Sequence, residues 1–448
     1  MENTNKPLCV ICCPIATISG YGSRSRDLVR ALIAIDKYQV QILSTRWGGT
    51  PMNALIAGKD DDIITRLVGQ ITQQPDLFIQ VSVPNEFQKV GKYNIGVTAG
   101  IETTMCAAEW IEGCNRMDLV IVPSKHSKDV FVNSKYDMID NNTKQKAGVL
   151  ELKTQIEILF EGVDTDTYKK TDELSSSVVT ELESIKEKFC FLFVGHWMQG
   201  DLGEDRKNVG MLVRSFYEAF KNVSNAPALI LKTSSGTFSH IDRLEILRKI
   251  EFIRDNVKGA IRLPNVYLLH GDLNETEMNS LYMHPKVKAH VSLTKGEGFG
   301  RPLAEAAMSG KPIIATAWSG HIDFLKSDYS ILIPGTLTDV HHSAAWDKVI
   351  LKESKWFTAD YGYFIGALKS VFENYEKHLE SSRKTTKYMK ENFSWDIMKN
   401  KLAEILQRVP EFPKMQTLNL PKLKRVGDSE TKKVELPKLN LPKLKKVE

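Results

Sequence analysis

The sequence predicts an α/β fold of two domains, each a mostly parallel sheet flanked by helices, followed by a helical end and a basic tail. Three observations carry this. Short apolar runs alternate with helical stretches along most of the chain, glycine-rich turns join several runs to the helix that follows, and 448 residues are too many for one such domain. A composition of 42% hydrophobic and 26% charged residues is that of a globular protein with a sizeable core.

Residues 8–13 form the first buried strand, followed by the loop PIATISGYGSRSRDL and a helix to about residue 34. Strand, glycine loop and helix open a nucleotide-binding-like domain. Gly20 and Gly22 let this loop lie flat against a ligand, and Arg24 and Arg26 either face a phosphate there or decorate the helix start. Residues 40–44, 77–81, 93–97 and 119–122 are further short strands, and their alternation with other stretches implies a parallel sheet. Ser124 and Lys125 start a helix. Asp60, Asp61 and Asp62 alone imitate a metal-binding tract, but their polar loop GKDDDI reads as a solvated turn. The polar stretch 169–188 reads as a linker.

A second domain begins with strand 189–194, the long loop GHWMQGDLGEDRKN and helix 209–220. Strand 228–232 ends in Lys232, facing a nucleotide, and strand 266–269 leads into HGDLNETEMNSLY. The most informative segment is 291–320, VSLTKGEGFGRPLAEAAMSGKPIIATAWSG. Gly296, Gly298 and Gly300 permit a sharp turn and a close approach to a ligand. Pro302 suits the first turn of helix 302–309, Gly310 caps it, and strand 313–316 follows. The amides from Phe299 through Gly300, Arg301 and Pro302 to Leu303 surround a helix N-terminus suited to a diphosphate. Glu305, about one turn in, is placed to accept bonds from ribose hydroxyls, and Glu297, in the loop, reaches the hydroxyls of a transferred sugar.

Glu, seven residues, Glu within GEGFGRPLAEAAMSGKPII resembles the signature of retaining, nucleotide-sugar-dependent glycosyltransferases of family four, also called glycosyl transferases group 1. The resemblance implies the GT-B fold, two Rossmann-like domains facing across a cleft. On that pattern residues 1–170 are the acceptor-side domain, 171–188 the linker, 189–385 the donor-binding domain, 386–410 a helix that crosses back, and 411–448 a disordered basic tail. It further implies that 94–131 lines the acceptor side, with Glu102 at a strand end, and that Lys207, with Arg206 beside it, neutralises the donor diphosphate. The family's first basic position falls on His196, whose charge depends on pH. Gly271 to Leu273 matches the base-recognition edge, with Leu273 as its apolar contact, and 316–325 the loop behind the sugar. Glu297, Lys207, Arg206 and Glu102 are then the catalytic residues. Glu305, Gly298, Phe299, Gly300, Arg301, Pro302, Leu303, Gly22, Lys232 and Leu273 hold the donor, a UDP, GDP or ADP sugar. The resemblance implies neither a metal nor a prosthetic group, and retention of anomeric configuration.

Charge and cysteine usage narrow the classes. Ten of the 60 basic and five of the 55 acidic residues lie in 411–448, leaving 50 against 50 in the body, so a nucleic-acid acceptor finds no basic body to bind. The tail repeats LNLPKLKRV at 418–426 and LNLPKLKKV at 439–447; it is a solubilising tail, a docking segment for a protein, or a tether to a membrane surface or nucleic acid. The six cysteines lack paired metal spacing and read as reduced thiols. Without an apolar run of spanning length or a signal sequence, the expected location is the cytoplasm, soluble or peripheral to a membrane. The acceptor is a glycan or lipid-linked saccharide; the alternatives are a small metabolite, a hydroxylated DNA base, a catalytically silent scaffold, and a phosphorylase or epimerase.

Overall fold

Leu8–Cys13, apolar and almost wholly buried, stands inside a seven-stranded sheet in a computed structural model that describes residues 6–236 and 238–412. The strand order is Leu67–Val68, Gln39–Ser44, Leu8–Cys13, Leu77–Val81, Tyr93–Val97, Leu119–Val122 and Ile156–Ile158. Every pairing is parallel, and helices cover both faces, which is why these strands are continuous apolar runs. A second parallel sheet orders Val266–Leu269, Ala228–Lys232, Cys190–Val194, Val287–Ser292, Ile313–Thr316 and Ile331–Ile333. Chain order reverses beside Leu8–Cys13 in one sheet and beside Cys190–Val194 in the other. In open α/β sheets the crevice beyond the strand ends at such a reversal is where ligands bind.

The predicted linker contains a helix, Ser176–Glu183, because Val178 and Leu182, four apart, bury one face of it. Near the other end, Trp395–Ile405 returns to the first domain as expected. Val163 N–H donates to Phe393 O (2.9 Å), Trp395 N–H to Val163 O (2.8 Å), and Lys37 Nζ to Leu406 O (3.2 Å). The tail from residue 413 onward lies outside the described residues. No helix among the described residues is long and apolar enough to cross a membrane.

Two antiparallel hairpins have no counterpart in the sequence reading: Tyr136–Ile139 with Lys146–Leu150, and Gly335–Asp339 with Lys355–Ala359. The second one follows the six-stranded sheet in the chain and packs on the first domain. Val340, Ala344, Ile350 and Trp356 share a buried cluster with Phe87, Ile101 and Trp110. Thr104 N–H donates to Lys355 O, and Lys355 N–H to Thr104 Oγ1, both at 2.9 Å.

The glycine loop closes against the same domain. A Cβ on Gly296 would lie 1.9 Å from the carbonyl oxygen of Glu102, and one on Gly298 would lie 2.4 Å from that of Ala99. These glycines thus permit a close approach to the opposite domain's backbone. Only at Gly300, with φ 94°, does the turn itself require glycine. We expect Gly298→Ala to lose about 1–3 kcal/mol, the usual cost of overpacking, read as a lower midpoint in thermal unfolding; an unchanged midpoint would mean that the two backbones do not meet there.

Candidate active site

The loop between Cys190–Val194 and helix Val209–Phe220 carries the basic pair, and its local structure fixes both side chains. Asn208 takes a left-handed conformation (φ 54°), Asp205 accepts from Val209 N–H (3.1 Å), and Lys295 N–H donates to Arg206 O (2.7 Å). Buried Val209, Leu212, Val213, Phe216 and Phe220 anchor the helix behind it. The loop is thereby docked on the chain entering Glu297.

Glu297, Lys207, Arg206 and Glu102 converge at one point. Lys207 Nζ donates to Glu297 Oε1. Arg206 Nη1 lies 3.1 Å from Glu102 Oε1 and 3.7 Å from Glu297 Oε2, and donates to Gly296 O at 3.1 Å. Glu297 N–H donates to Ser319 Oγ (2.9 Å). Two cations thus meet two carboxylates, three of the groups from the second domain and Glu102 from the first. Burial works to raise the Glu297 carboxyl, but Lys207 and Arg206 outweigh it and hold the group below its ordinary range.

Glu305 is arranged differently. Its Oε1 accepts from Arg301 Nε (3.0 Å) and its Oε2 from Tyr282 Oη (3.2 Å). Burial pushes its carboxyl up to about 7 despite those two donors. Arg301 is also shared: its Nη1 reaches Asp27 at 2.6 Å and Glu161 at 3.8 Å in the first domain. Arg301, Glu305 and the first domain therefore form one network. The side chains of Phe299 and Leu303 belong to the core, so a ligand meets only their backbone. Pro302 has no N–H and Leu303 N–H donates to Gly300 O (2.9 Å), which concentrates the anion-holding capacity on the amides around Phe299 and Gly300.

Lys232 ends its strand as predicted, donating to Gly271 O (2.5 Å), and Leu273 packs at the rim of the core. Three expectations change. Gly20 and Gly22 lie in the helix Gly20–Ile35 rather than in a loop, and Gly22 has a packing role: its N–H donates to Ser19 Oγ (3.0 Å) and a Cβ would meet Thr17 O at 2.2 Å. Arg24 and Arg26 neither face a phosphate nor merely decorate the helix, because both are spent on carbonyls, of Leu159 and Phe160 and of Ile15 and Thr17. Asp60 is buried, not solvated: it accepts from Arg30 Nη2 (2.5 Å) and Ile56 N–H (2.8 Å). His196 is exposed, its Nδ1 3.1 Å from Ser234 Oγ.

The sequence reading passed over His321. It is fully buried, its Nε2 lies 2.6 Å from Thr316 O, and its Nδ1 has no hydrogen-bond partner among the described residues. A carbonyl partner makes Nε2 the donor, so in the neutral ring Nδ1 keeps a lone pair. Burial lowers the His321 pKa, favouring that neutral ring. Only its place after Ser319-Gly320 at a strand-end loop could have signalled it. Tyr282, Asp27 and Glu161 carry no local signal, since the fold alone brings them to Glu305 and Arg301.

Residues 259–354 match the family described as Glycosyl transferases group 1. The chain resembles that group. The matched segment contains both glutamates of the Glu, seven residues, Glu pattern. Similar solved structures cover 90% of this chain: a glycosyltransferase from Rickettsia africae ESF-5 (14% identity, 99% of its chain, TM-score 0.59), HepE from Anabaena in complex with UDP and glucose (13%, 100%, 0.58) and sucrose-phosphate synthase from Thermosynechococcus elongatus (12%, 99%, 0.60). They share the GT-B fold with this chain. No curated protein matches it.

Glu305 gives a pH prediction. Its folded carboxyl takes up a proton near 7 where an unfolded one does so near 4.5, so between these values the folded state binds more protons and this group's contribution to stability falls as pH rises. An ionised carboxylate accepts hydrogen bonds more strongly than the protonated acid. We therefore expect UDP affinity, followed by calorimetry, to strengthen as pH rises through about 7, and Glu305→Gln to remove that part of the slope; identical slopes would mean that Glu305 does not titrate there.

Proposed function

We propose that the chain is a metal-independent, retaining glycosyltransferase that moves a sugar from a nucleoside-diphosphate sugar to a hydroxyl of a glycan or lipid-linked saccharide. The observation that carries this reading is the convergence of Lys207 and Arg206 on Glu297 and Glu102 at the cleft, with Glu305 on the helix that follows.

The donor diphosphate takes the place of Glu102 at Arg206 and shares Lys207, so both cations face the phosphate oxygen that leaves. As the bond between the anomeric carbon and that oxygen breaks, its electron pair stays on the phosphate, and positive charge grows on the sugar. Lys207 and Arg206 stabilise the leaving charge, the kind of electrostatic term that carries much of such catalysis. The acceptor hydroxyl attacks from the same face and passes its proton to the departing phosphate, which retains configuration. Glu297 and His321 Nδ1 accept bonds from hydroxyls of the transferred sugar, and Glu305 accepts from the ribose. Lys232 and the Gly271 to Leu273 turn border the base.

Arg206 lies beside Lys207 as a second permanent cation whatever the charge on His196, which supports an active enzyme over a catalytically silent protein. All six cysteines are free, which fits a reducing compartment and our assignment to the cytoplasm. The balanced charge of the body favours a saccharide acceptor over a DNA base.

The test is release of nucleoside diphosphate from UDP-, GDP- and ADP-sugars. One donor class should be turned over selectively, and Lys207→Ala should slow release by roughly 100- to 1000-fold, the size of losing one preorganised charge-stabilising group. Glu305→Ala should chiefly raise the donor KM. No release and no binding with any donor would refute the reading.

A further inference from the structure

A cavity of about 170 Å³ lies between the two loops that the sequence reading did not connect, lined by Met198, Gln199, Arg206, Ala344, Trp346 and Ile350. Arg206 belongs both to this cavity and to the charged centre, where it reaches Glu102 and Glu297, so the two spaces are neighbours. The far wall comes from loop 340–354, whose Ala344 and Ile350 are buried with Ile101 and Trp110 of the first domain. The cavity therefore faces the acceptor side although its residues come from the donor half of the chain.

Trp346 is the unusual member. It is 54% exposed, while Trp356 in the same hairpin is fully buried. Its backbone is nevertheless fixed: Trp346 N–H donates to Ile350 O (3.0 Å) and Ile350 N–H returns to Trp346 O (2.8 Å). Asp201 N–H donates to Ser343 Oγ (3.0 Å), tying the two walls together. A large aromatic face held on a braced loop costs little ordering when a flat ligand covers it.

We propose that this cavity is an acceptor subsite that seats one pyranose ring on Trp346, a proposal that rests on the glycosyltransferase reading above. A pyranose presents an apolar face of C–H bonds and a rim of hydroxyls. Trp346, Met198 and Ile350 supply the apolar contact, and the Gln199 amide and Arg206 guanidinium supply partners for the rim. An acyl chain would leave Arg206 and Gln199 covered by apolar groups without partners, an arrangement that burial penalises. The ring then lies next to Arg206, within reach of the centre at which the acceptor hydroxyl must arrive.

Saturation-transfer NMR on the full chain tests this with methyl glucosides, galactosides, mannosides and N-acetylglucosaminides of both anomeric forms, with UDP affinity measured alongside. At least one glycoside should bind the native protein. Trp346→Ala should weaken it about tenfold, the size of one stacked aromatic contact, with UDP affinity unchanged, and Trp346→Phe should retain most of the binding. No glycoside binding, equal binding by Trp346→Ala, or a parallel fall in UDP affinity would overturn the subsite, as would binding of octyl but not methyl glycosides. Glycoside binding lost in Trp346→Ala without sugar transfer by the native protein would leave the subsite standing and refute the transferase reading instead.

Discussion

Two cations and two carboxylates, taken out of water together at the junction of two domains, are the constraint on which this structure depends. Lys207 and Glu297 are nearly buried, and Arg206 spans from Glu297 to Glu102 of the other domain. Charges removed from water are costly unless each finds a partner, so the quartet holds itself neutral and draws the domains together. Much of the neighbouring architecture serves that end. Asp205, Asn208 and the Lys295 to Arg206 backbone bond fix the basic loop, and the glycines at 296 and 298 let the Glu297 loop reach the backbone of Ala99 and Glu102.

A second polar junction lies on the helix after Gly300. Arg301 links Glu305 to Asp27 and Glu161, three acids on one guanidinium, and burial then leaves Glu305 hard to ionise. The two junctions differ in charge balance: two cations offset two carboxylates at Glu297, whereas three acids share one guanidinium at Glu305. An anionic phosphate suits the first and neutral hydroxyls the second, which is the order of groups along a nucleoside diphosphate. The helix crossing back meets this junction through Trp395 Nε1, which donates to Asp27 O (3.4 Å), while the hairpin packed on Thr104 braces the Glu102 side.

The parts of the fold legible in the sequence were those set by local rules. Strands such as Leu77–Val81 and Ala228–Lys232 are apolar runs with clear ends, and Gly310 stops its helix in the left-handed conformation that glycine favours. Glu297, Glu305 and Lys207 were legible because their spacing is a motif. What escaped depends on distant partners. Arg24 and Arg26 carry the same local signal as phosphate-facing arginines, but carbonyls from Leu159, Phe160, Ile15 and Thr17 claim them. Asp60 appears solvated until Arg30, thirty residues away, is brought to it. The hairpin Gly335–Asp339 with Lys355–Ala359 has strands of which one is mostly exposed, so neither burial nor alternation announced it.

If Glu102 neutralises Arg206 until a diphosphate arrives, removing that carboxylate's charge must favour the diphosphate. The direct measurement is calorimetric binding of UDP to Glu102→Gln beside the native protein at one ionic strength. This account predicts tighter UDP binding in the variant, with a steeper loss on adding salt as the uncovered cation is screened. Weaker or unchanged binding, with the fold intact by thermal unfolding, would contradict the central claim that the charged quartet is a diphosphate site held closed by its own carboxylate.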